Sequence, residues 1–331
     1  DSFIQWQFRK LHKLGFLEFG KRPSIYSEKD QQMCADHERA EGEGVLPQEY
    51  TLIKLKLLET KSELLTKLTA EGKTVILPAA TLRPETMYGQ TNCFVLPDAD
   101  YGVFEMANKE IWVCSEHSMR NLSFQDKTPQ FGQSARIGTV KGLELIGSAI
   151  KAPLATYDKV YVWPMLSISM SKGTGIVTSV PSDAPDDYAV LHELKKKKPF
   201  REKFGLTDEQ VLPFEPVPII KTAKYDTLAA VKAFEAFKIQ SMNEHEKLKA
   251  AKEDVYLDGF YSGVMTVGEF ARKKVADAKP LIKAKLIAAN EGDVYYEPES
   301  KCVSRSGDVC VVALCDQWYI TYGTDQVREK L

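Results

Sequence analysis

Residues 75–92 constrain the fold more than any other stretch of the chain. Val75-Ile76-Leu77-Pro78-Ala79-Ala80 is an apolar run that breaks at once into Thr81-Leu82-Arg83-Pro84-Glu85-Thr86-Met87-Tyr88-Gly89-Gln90-Thr91-Asn92. Those twelve residues hold three Thr, two amides, one guanidinium and one Pro. A short apolar run bounded by turn formers reads as a buried strand. The end of such a strand can present a wall of short hydrogen-bonding groups to a small polar ligand. The blander reading is a strand-to-turn junction in which Thr is enriched by β propensity alone.

With 331 residues the chain can bury a sizeable core, in one large or two modest domains. Apolar content of 44% and charged content of 27% are ordinary for a globular protein. A formal net charge of −2 excludes a surface dominated by one sign, so any nucleic-acid contact must come from local basic patches. Cys34, Cys93, Cys114, Cys302, Cys310 and Cys315 show no paired close spacing, which fits reduced thiols in the cytosol. No signal peptide shows at the N-terminus, and no apolar run approaches the ~20 residues that span a bilayer. The absent initiator Met suggests a fragment of something longer.

Ile4, Phe8, Leu11 and Gly15 share one stripe of an expected helix over 2–17. Residues 18–50, rich in Gly, charge and turn formers, are expected to form extended connectors. Strands are expected at 52–57, 74–80, 92–96, 111–115, 159–163, 175–180, 294–297 and 309–320, with Asn108-Lys109 turning a hairpin. Residues 115–124 read as a short helix. Pro185 should open a helix running to about Lys198, capped by Asp183 or Ala184. Asp226 is the expected N-cap of a helix ending at Phe237. Residues 243–253 and 267–289 read as charged surface helices, the second interrupted at Pro280. The whole reads as a mixed α/β fold with a barrel-like β core and surrounding helices.

A second segment with chemical content is Gly173-Thr174-Gly175-Ile176-Val177-Thr178-Ser179-Val180-Pro181-Ser182-Asp183-Ala184-Pro185-Asp186-Asp187, about ninety residues after the first. By itself an Asp in a helix's first turn complements the helix dipole and faces water. Together, the two segments resemble the paired editing motifs of the class I aminoacyl-tRNA synthetases, in their leucyl-tRNA synthetase form. Thr81-Leu82-Arg83-Pro84-Glu85-Thr86 matches the eukaryotic and archaeal cytosolic type, where bacterial members often have Thr-Thr-Arg-Pro-Asp-Thr. The resemblance extends along essentially the whole chain. It includes Cys34-Ala35-Asp36-His37, Pro47-Gln48-Glu49-Tyr50, Val211 to Ile220, Tyr256 to Tyr261, Ser304-Arg305-Ser306-Gly307 and Val311 to Tyr319.

The resemblance implies the editing-domain fold of class I synthetases. It also implies an aminoacyl-tRNA hydrolase that removes isoleucine, methionine, norvaline and similar residues from tRNA(Leu). The physical need is general: a hydrophobic pocket separates substrates differing by one methylene by only ~1–3 kcal/mol, so mischarging must be corrected at a second site. By the same resemblance, Thr86 is the steric gate against leucine, a role suited to a stiff β-branched residue. Thr81 lies near the ester and the attacking water, Arg83 stabilises the site, and Asp187 anchors the α-ammonium group. Asp186 and Asp183 stay open as alternatives for that anchor. Leu82, Thr178, Val180, Met165, Leu166 and Ile168 are expected to bind substrate, the last three against the terminal adenosine.

The motifs contain no His-Ser or His-Cys relay, so hydrolysis is expected to work by positioning, with water held between Thr hydroxyls and the ribose hydroxyl. His192, flanked by Leu191 and Leu194, reads as a packing or surface residue. Gly72-Lys73-Thr74 lacks the earlier Gly of a phosphate loop, which is Lys67 here. Ser169-Met170-Ser171-Lys172-Gly173 lacks the first Lys of the synthetase ATP signature. Cys34-Ala35-Asp36-His37 offers half a zinc site, and no metal is expected. Lys195 to Lys198 is a solvated helix end or a contact for tRNA phosphates.

The domain expectation is an incoming connector from the catalytic domain over 1–48, an editing domain over 49–297 and return strands over 298–331. A lineage-specific helical insertion falls at about 198–260. Editing itself calls for no cofactor; ATP and Mg belong to the parent enzyme's catalytic domain. Partners implied are the 3′-terminal adenosine of tRNA(Leu) with its aminoacyl ester and the remainder of the synthetase. No membrane is implied, the location is cytoplasmic, and a monomer is the default. Two rival readings are a pure tRNA-binding module and a structural insertion whose editing has decayed.

Overall fold

Strand Val75–Thr81 is buried along both faces, which is why its sequence shows an unbroken apolar run instead of alternation. Leu77 packs into the main core with Leu55, Val113, Val162 and Trp163, whereas Ile76 packs into a second cluster with Leu52, Trp112 and Tyr295. Burial of each large side chain is worth roughly 1.5–3 kcal/mol. The computed structural model describes residues 1–321, and the chain divides into two units. The larger takes in 49–123 and 127–295; the smaller takes in 1–48, 124–126 and, of the described residues, 296–321.

β1 (Pro47–Glu59), β2 (Val75–Thr81), β3 (Asn92–Val95), β4 (Asp100–Glu105) and β5 (Ile111–Cys114) come first in the main sheet. They are followed by β6 (Ala135–Lys141), β7 (Ala149–Lys151), β8 (Val160–Pro164), β9 (Ile176–Ser179) and β10 (Gly292–Pro298). All belong to one 10-stranded mixed sheet, in the order β9-β3-β8-β7-β1-β2-β5-β4-β6, with β10 paired to β1. β3 runs parallel to β8 and β2 to β5, while β1 with β2 and β3 with β9 are antiparallel. The hairpin expected at Asn108-Lys109 joins β4 to β5, with Lys109 in the left-handed region at φ 70°.

The sheet curls. β9, at its edge, packs against β2 from its middle, and a Cβ on Gly173 would lie 3.7 Å from that of Ala80. This is the barrel-like core expected from sequence, and it lays the end of β2 beside β9.

Helices α1 (Glu116–Ser123), α2 (Pro185–Lys196), α3 (Ala229–Ala236), α4 (His245–Ser262) and α5 (Val275–Ala288) surround the sheet. Ala184 is the N-cap residue of α2, one of the two expected. Asp226 is not the cap of α3. Leu228 holds that position with φ 59°, and Asp226 faces Lys221 and Lys232 at 3.4 and 3.8 Å. α4 runs on to Ser262, nine residues beyond the expected end at Glu253, because Leu248, Ala251, Val255 and Gly259 continue its buried side. α5 begins only at Val275, and Pro280 lies inside it without ending it. As the sixth residue it removes the N–H that would bond the Ala276 carbonyl, and Ala278, Ile282 and Leu286 carry the buried side across it.

The smaller unit corrects another expectation. Residues 17–27 form a strand, not a connector, paired antiparallel with Val311–Ile320 from Leu17↔Ile320 to Tyr26↔Val311. Gly20 and Pro23 hide it from local pattern reading, and its partner lies almost three hundred residues away. The N-terminal helix spans Ser2–Lys13 and ends at Leu14 and Gly15, the latter at φ 73°. Its Phe8 meets Trp318 edge to face at 5.1 Å. Of the return stretch expected over 298–331, residues 322–331 lie outside the described residues.

Candidate active site

At the end of β2 the chain bonds to itself. Arg83 N–H donates to Thr81 Oγ1 at 3.0 Å, and the Thr86 hydroxyl and N–H donate to the Arg83 carbonyl at 2.8 and 3.0 Å. Short hydroxyls that capture nearby backbone are what make Thr and Ser turn residues. Pro84 then opens the helical turn Pro84–Gly89 with its fixed φ. Thr86 is buried with its hydroxyl engaged, so its rotamer is fixed and its γ-methyl is what it offers to adjoining space.

The second motif is placed by a glycine. Gly175 has φ 75°, and a Cβ there would meet Met170 Sδ at 2.9 Å and Tyr101 Cε1 at 3.1 Å. No other residue type fits both demands. Tyr101 locks the turn by donating its hydroxyl to the Gly175 carbonyl at 2.8 Å. After β9, α2 opens at Pro185 and puts Asp187 in its first turn, where Asp187 Oδ2 accepts the Val180 N–H at 2.7 Å.

Carboxyl groups crowd this corner. Burial pushes the Asp187 carboxyl up to about 7 despite the Val180 N–H, and the neighbouring Asp186 adds to the rise. Burial likewise lifts Asp183 to about 6, against the pull of Arg83 and of Ser182, whose hydroxyl donates to Asp183 Oδ2 at 2.5 Å. Glu85 is buried; its Oε1 accepts from Arg83 Nε at 3.4 Å, and no described residue bonds its Oε2. Arg83 also donates to the Asp183 carbonyl at 3.3 Å. Asp186 pairs with Lys252 at 2.8 Å.

One cavity of about 610 Å³ gathers these groups. Thr81, Leu82, Arg83 and Thr86 line it from the first motif, and Thr178, Val180, Asp186 and Asp187 from the second. Met165 and Ile168 complete that wall. Leu166 does not reach it: the side chain is 54% exposed and lines the adjoining cleft of about 270 Å³. Asp183 is buried behind the lining, bonded to Ser182.

Sequence reading missed the far wall, made by Lys252, Tyr256 and His245 of α4, with Tyr50 of β1. The one signal available was the spacing of four between Lys252 and Tyr256, which in a charged helix looks like solvated surface. His192 packs between Tyr188 and Phe234, with ring centroids at 5.9 and 5.2 Å. Lys195, Lys197 and Lys198 are each paired with a glutamate, namely Glu215, Glu193 and Glu202. Cys34 is buried beside Cys302 and Cys310 and donates its thiol to the Glu38 carbonyl at 3.7 Å. Among the described residues no group of three His, Cys, Asp or Glu could hold a metal ion, and no helix is long and apolar enough to cross a membrane.

No protein-family model matches the chain. It is 53% identical over 330 residues to a cytoplasmic leucine–tRNA ligase of Dictyostelium discoideum, covering 100% of this chain and 31% of that protein. It thus spans about a third of the length of the curated relative it matches. It resembles the solved structure of GlLeuRS-CP1 with a TM-score of 0.68 and 36% identity, over 75% of this chain and 99% of that one. The P. knowlesi cytosolic leucyl-tRNA synthetase editing domain matches with a TM-score of 0.68 and 29% identity, over 75% and 96% of the two chains.

Proposed function

Because the chain belongs to the CP1 editing domains of leucyl-tRNA synthetases, we propose that its cavity hydrolyses the ester of mischarged tRNA(Leu). The observation that carries the reading is the convergence of both motifs on one cavity, lined by a Thr whose hydroxyl is already engaged and by a buried carboxyl group.

The roles are those the family resemblance implies, and the local chemistry supports them. Asp187, one oxygen held by Val180 N–H, grips the α-ammonium group of the misplaced residue with the other. The Thr86 γ-methyl closes the end of the cavity that a side chain branched at Cγ would fill, so unbranched chains and chains branched at Cβ enter and leucine does not. Thr81 accepts the Arg83 N–H and keeps its own O–H to donate, which orients the ester or the attacking water. Arg83 balances the carboxyl groups around it and stabilises negative charge developing on the ester. Leu82, Thr178 and Val180 shape the walls, and Met165 and Ile168 face the terminal adenosine. The substrate's free ribose hydroxyl assists the water, so hydrolysis runs on positioning and draws on no resident cofactor.

The wider assignment is also a proposal. Residues 49–297 act as the editing body with its insertion at about 198–260, and the flanking segments join it to a catalytic domain outside this chain. There ATP and Mg serve the joining of leucine to tRNA(Leu). The parent acts in the cytoplasm, as the name of the Dictyostelium relative indicates, and as a monomer.

The test is deacylation by the synthetase carrying this segment. Isoleucyl-tRNA(Leu) and norvalyl-tRNA(Leu) should be hydrolysed and leucyl-tRNA(Leu) spared. Equal survival of all three esters would leave a binding module or a decayed insertion in its place.

A further inference from the structure

Helix α4 presents a stripe to the two motifs. Lys252, Tyr256 and Gly259 stand at i, i+4 and i+7, and all three lie against motif residues. Lys252 Nζ is 2.8 Å from Asp186 Oδ2 and 5.7 Å from the Tyr256 ring centroid. The Arg83 guanidinium carbon lies 4.5 Å from the same centroid, over the ring. One turn on, a Cβ on Gly259 would come within 3.6 Å of Arg83 Nη2. The guanidinium therefore rests on a surface made by Tyr256 and the glycine backbone.

Arg83 needs such a surface. Its hydrogen bonds to motif residues are long, 3.4 Å to Glu85 Oε1 and 3.3 Å to the Asp183 carbonyl. Three carboxyl groups (Glu85, Asp183 and Asp187) lie near enough to compete for it. A flexible cation among several anions can settle in more than one arrangement, and only one serves the cavity. A ring face restricts it to a plane by cation–π attraction, worth most where water is scarce.

We propose that Tyr256 is a positioning residue for the editing reaction, its ring face holding the Arg83 guanidinium flat at the wall of the cavity. This inference rests on the function proposed above. The Tyr256 hydroxyl also lies close to Arg83, so ring and hydroxyl make separable predictions.

The experiment compares Tyr256→Phe and Tyr256→Leu in the full synthetase, each also combined with Arg83→Lys. Read-outs are kcat and KM for isoleucyl-tRNA(Leu) deacylation, and thermal stability. Phe should keep the wild-type rate within about two-fold. Leu should lose roughly five- to thirty-fold, chiefly in kcat, and should lose little when Arg83 is already Lys. Equal activity in Leu and Phe, or an equal loss in both, overturns the ring-face role; so does an undiminished Leu effect in the Arg83→Lys background. If Leu fails to fold, Tyr256→Trp decides: its larger face should match Phe, and a loss there overturns the proposal. If the wild-type synthetase deacylates nothing, the function reading has failed. The stability cycle between positions 83 and 256 then still reads the contact, and zero coupling rejects it.

Discussion

The two motifs meet in one cavity but are built on opposite principles. The turn carrying Thr81, Arg83 and Thr86 is closed by hydrogen bonds spanning two or three residues, in which the Thr86 hydroxyl donates and the Thr81 hydroxyl accepts. Asp187 is held by a single N–H from Val180, seven residues back, and sits where burial works against its charge. The first site is finished before any ligand arrives. The second is electrostatically incomplete, and a cation completes it. Shape selection can therefore be rigid while the anchor spends its affinity on one charged group.

Breaking the anchor should have the largest effect. Asp187→Ala is expected to lower kcat/KM for isoleucyl-tRNA(Leu) by roughly thirty-fold or more, the scale for removing one partner of a desolvated charge pair. Retained deacylation would move the anchor to Asp186 or Asp183.

The gate separates into two chemistries. Thr86→Ser keeps the bond to the Arg83 carbonyl and loses the methyl, so leucyl-tRNA(Leu) hydrolysis should rise about 10- to 200-fold, the value of one methyl in a pocket. Thr86→Val keeps the branched shape and loses the bond. It should still spare leucine while costing about 1 kcal/mol of stability, read by denaturant unfolding.

The pH dependence sharpens the contrast. Folded Asp187 takes up its proton near 7, against 3.8 ordinarily, so between those values the folded state binds more protons than the unfolded. Its contribution to stability is present at acid pH and is lost as pH rises through about 7. An ammonium ligand needs the ionised form, so its affinity should rise over the same window, with a proton released on binding. Asp187→Asn should flatten both profiles; the Thr86 variants should change neither. The last prediction concerns the scaffold. Gly175→Ala meets a positive φ and Met170 Sδ at 2.9 Å, and should cost about 1–3 kcal/mol in thermal or denaturant melts.

Legibility in the sequence follows the same division. The Thr81–Thr86 turn could be read because its bonds are local, and β2 could be read because a strand buried on both faces leaves an apolar run. Among Asp183, Asp186 and Asp187 the sequence offers no choice. What distinguishes them is their partners: Ser182 for the first, Lys252 for the second and the Val180 N–H for the third. The wall made by α4 was illegible because Tyr256 meets Arg83 across more than 170 residues, in a helix whose charged positions read as solvent-facing. Strand Leu17–Ser27 was missed for the same reason, its partner lying at the far end of the chain.

The most direct test is calorimetric binding of two hydrolysis-resistant aminoacyl-adenosine analogues, one carrying norvaline and one leucine, to this chain. Norvaline should bind, leucine should be excluded, and Asp187→Ala should abolish the norvaline signal. Equal binding of both analogues, or norvaline binding undiminished in Asp187→Ala, would contradict a single cavity gated by Thr86 and anchored by Asp187.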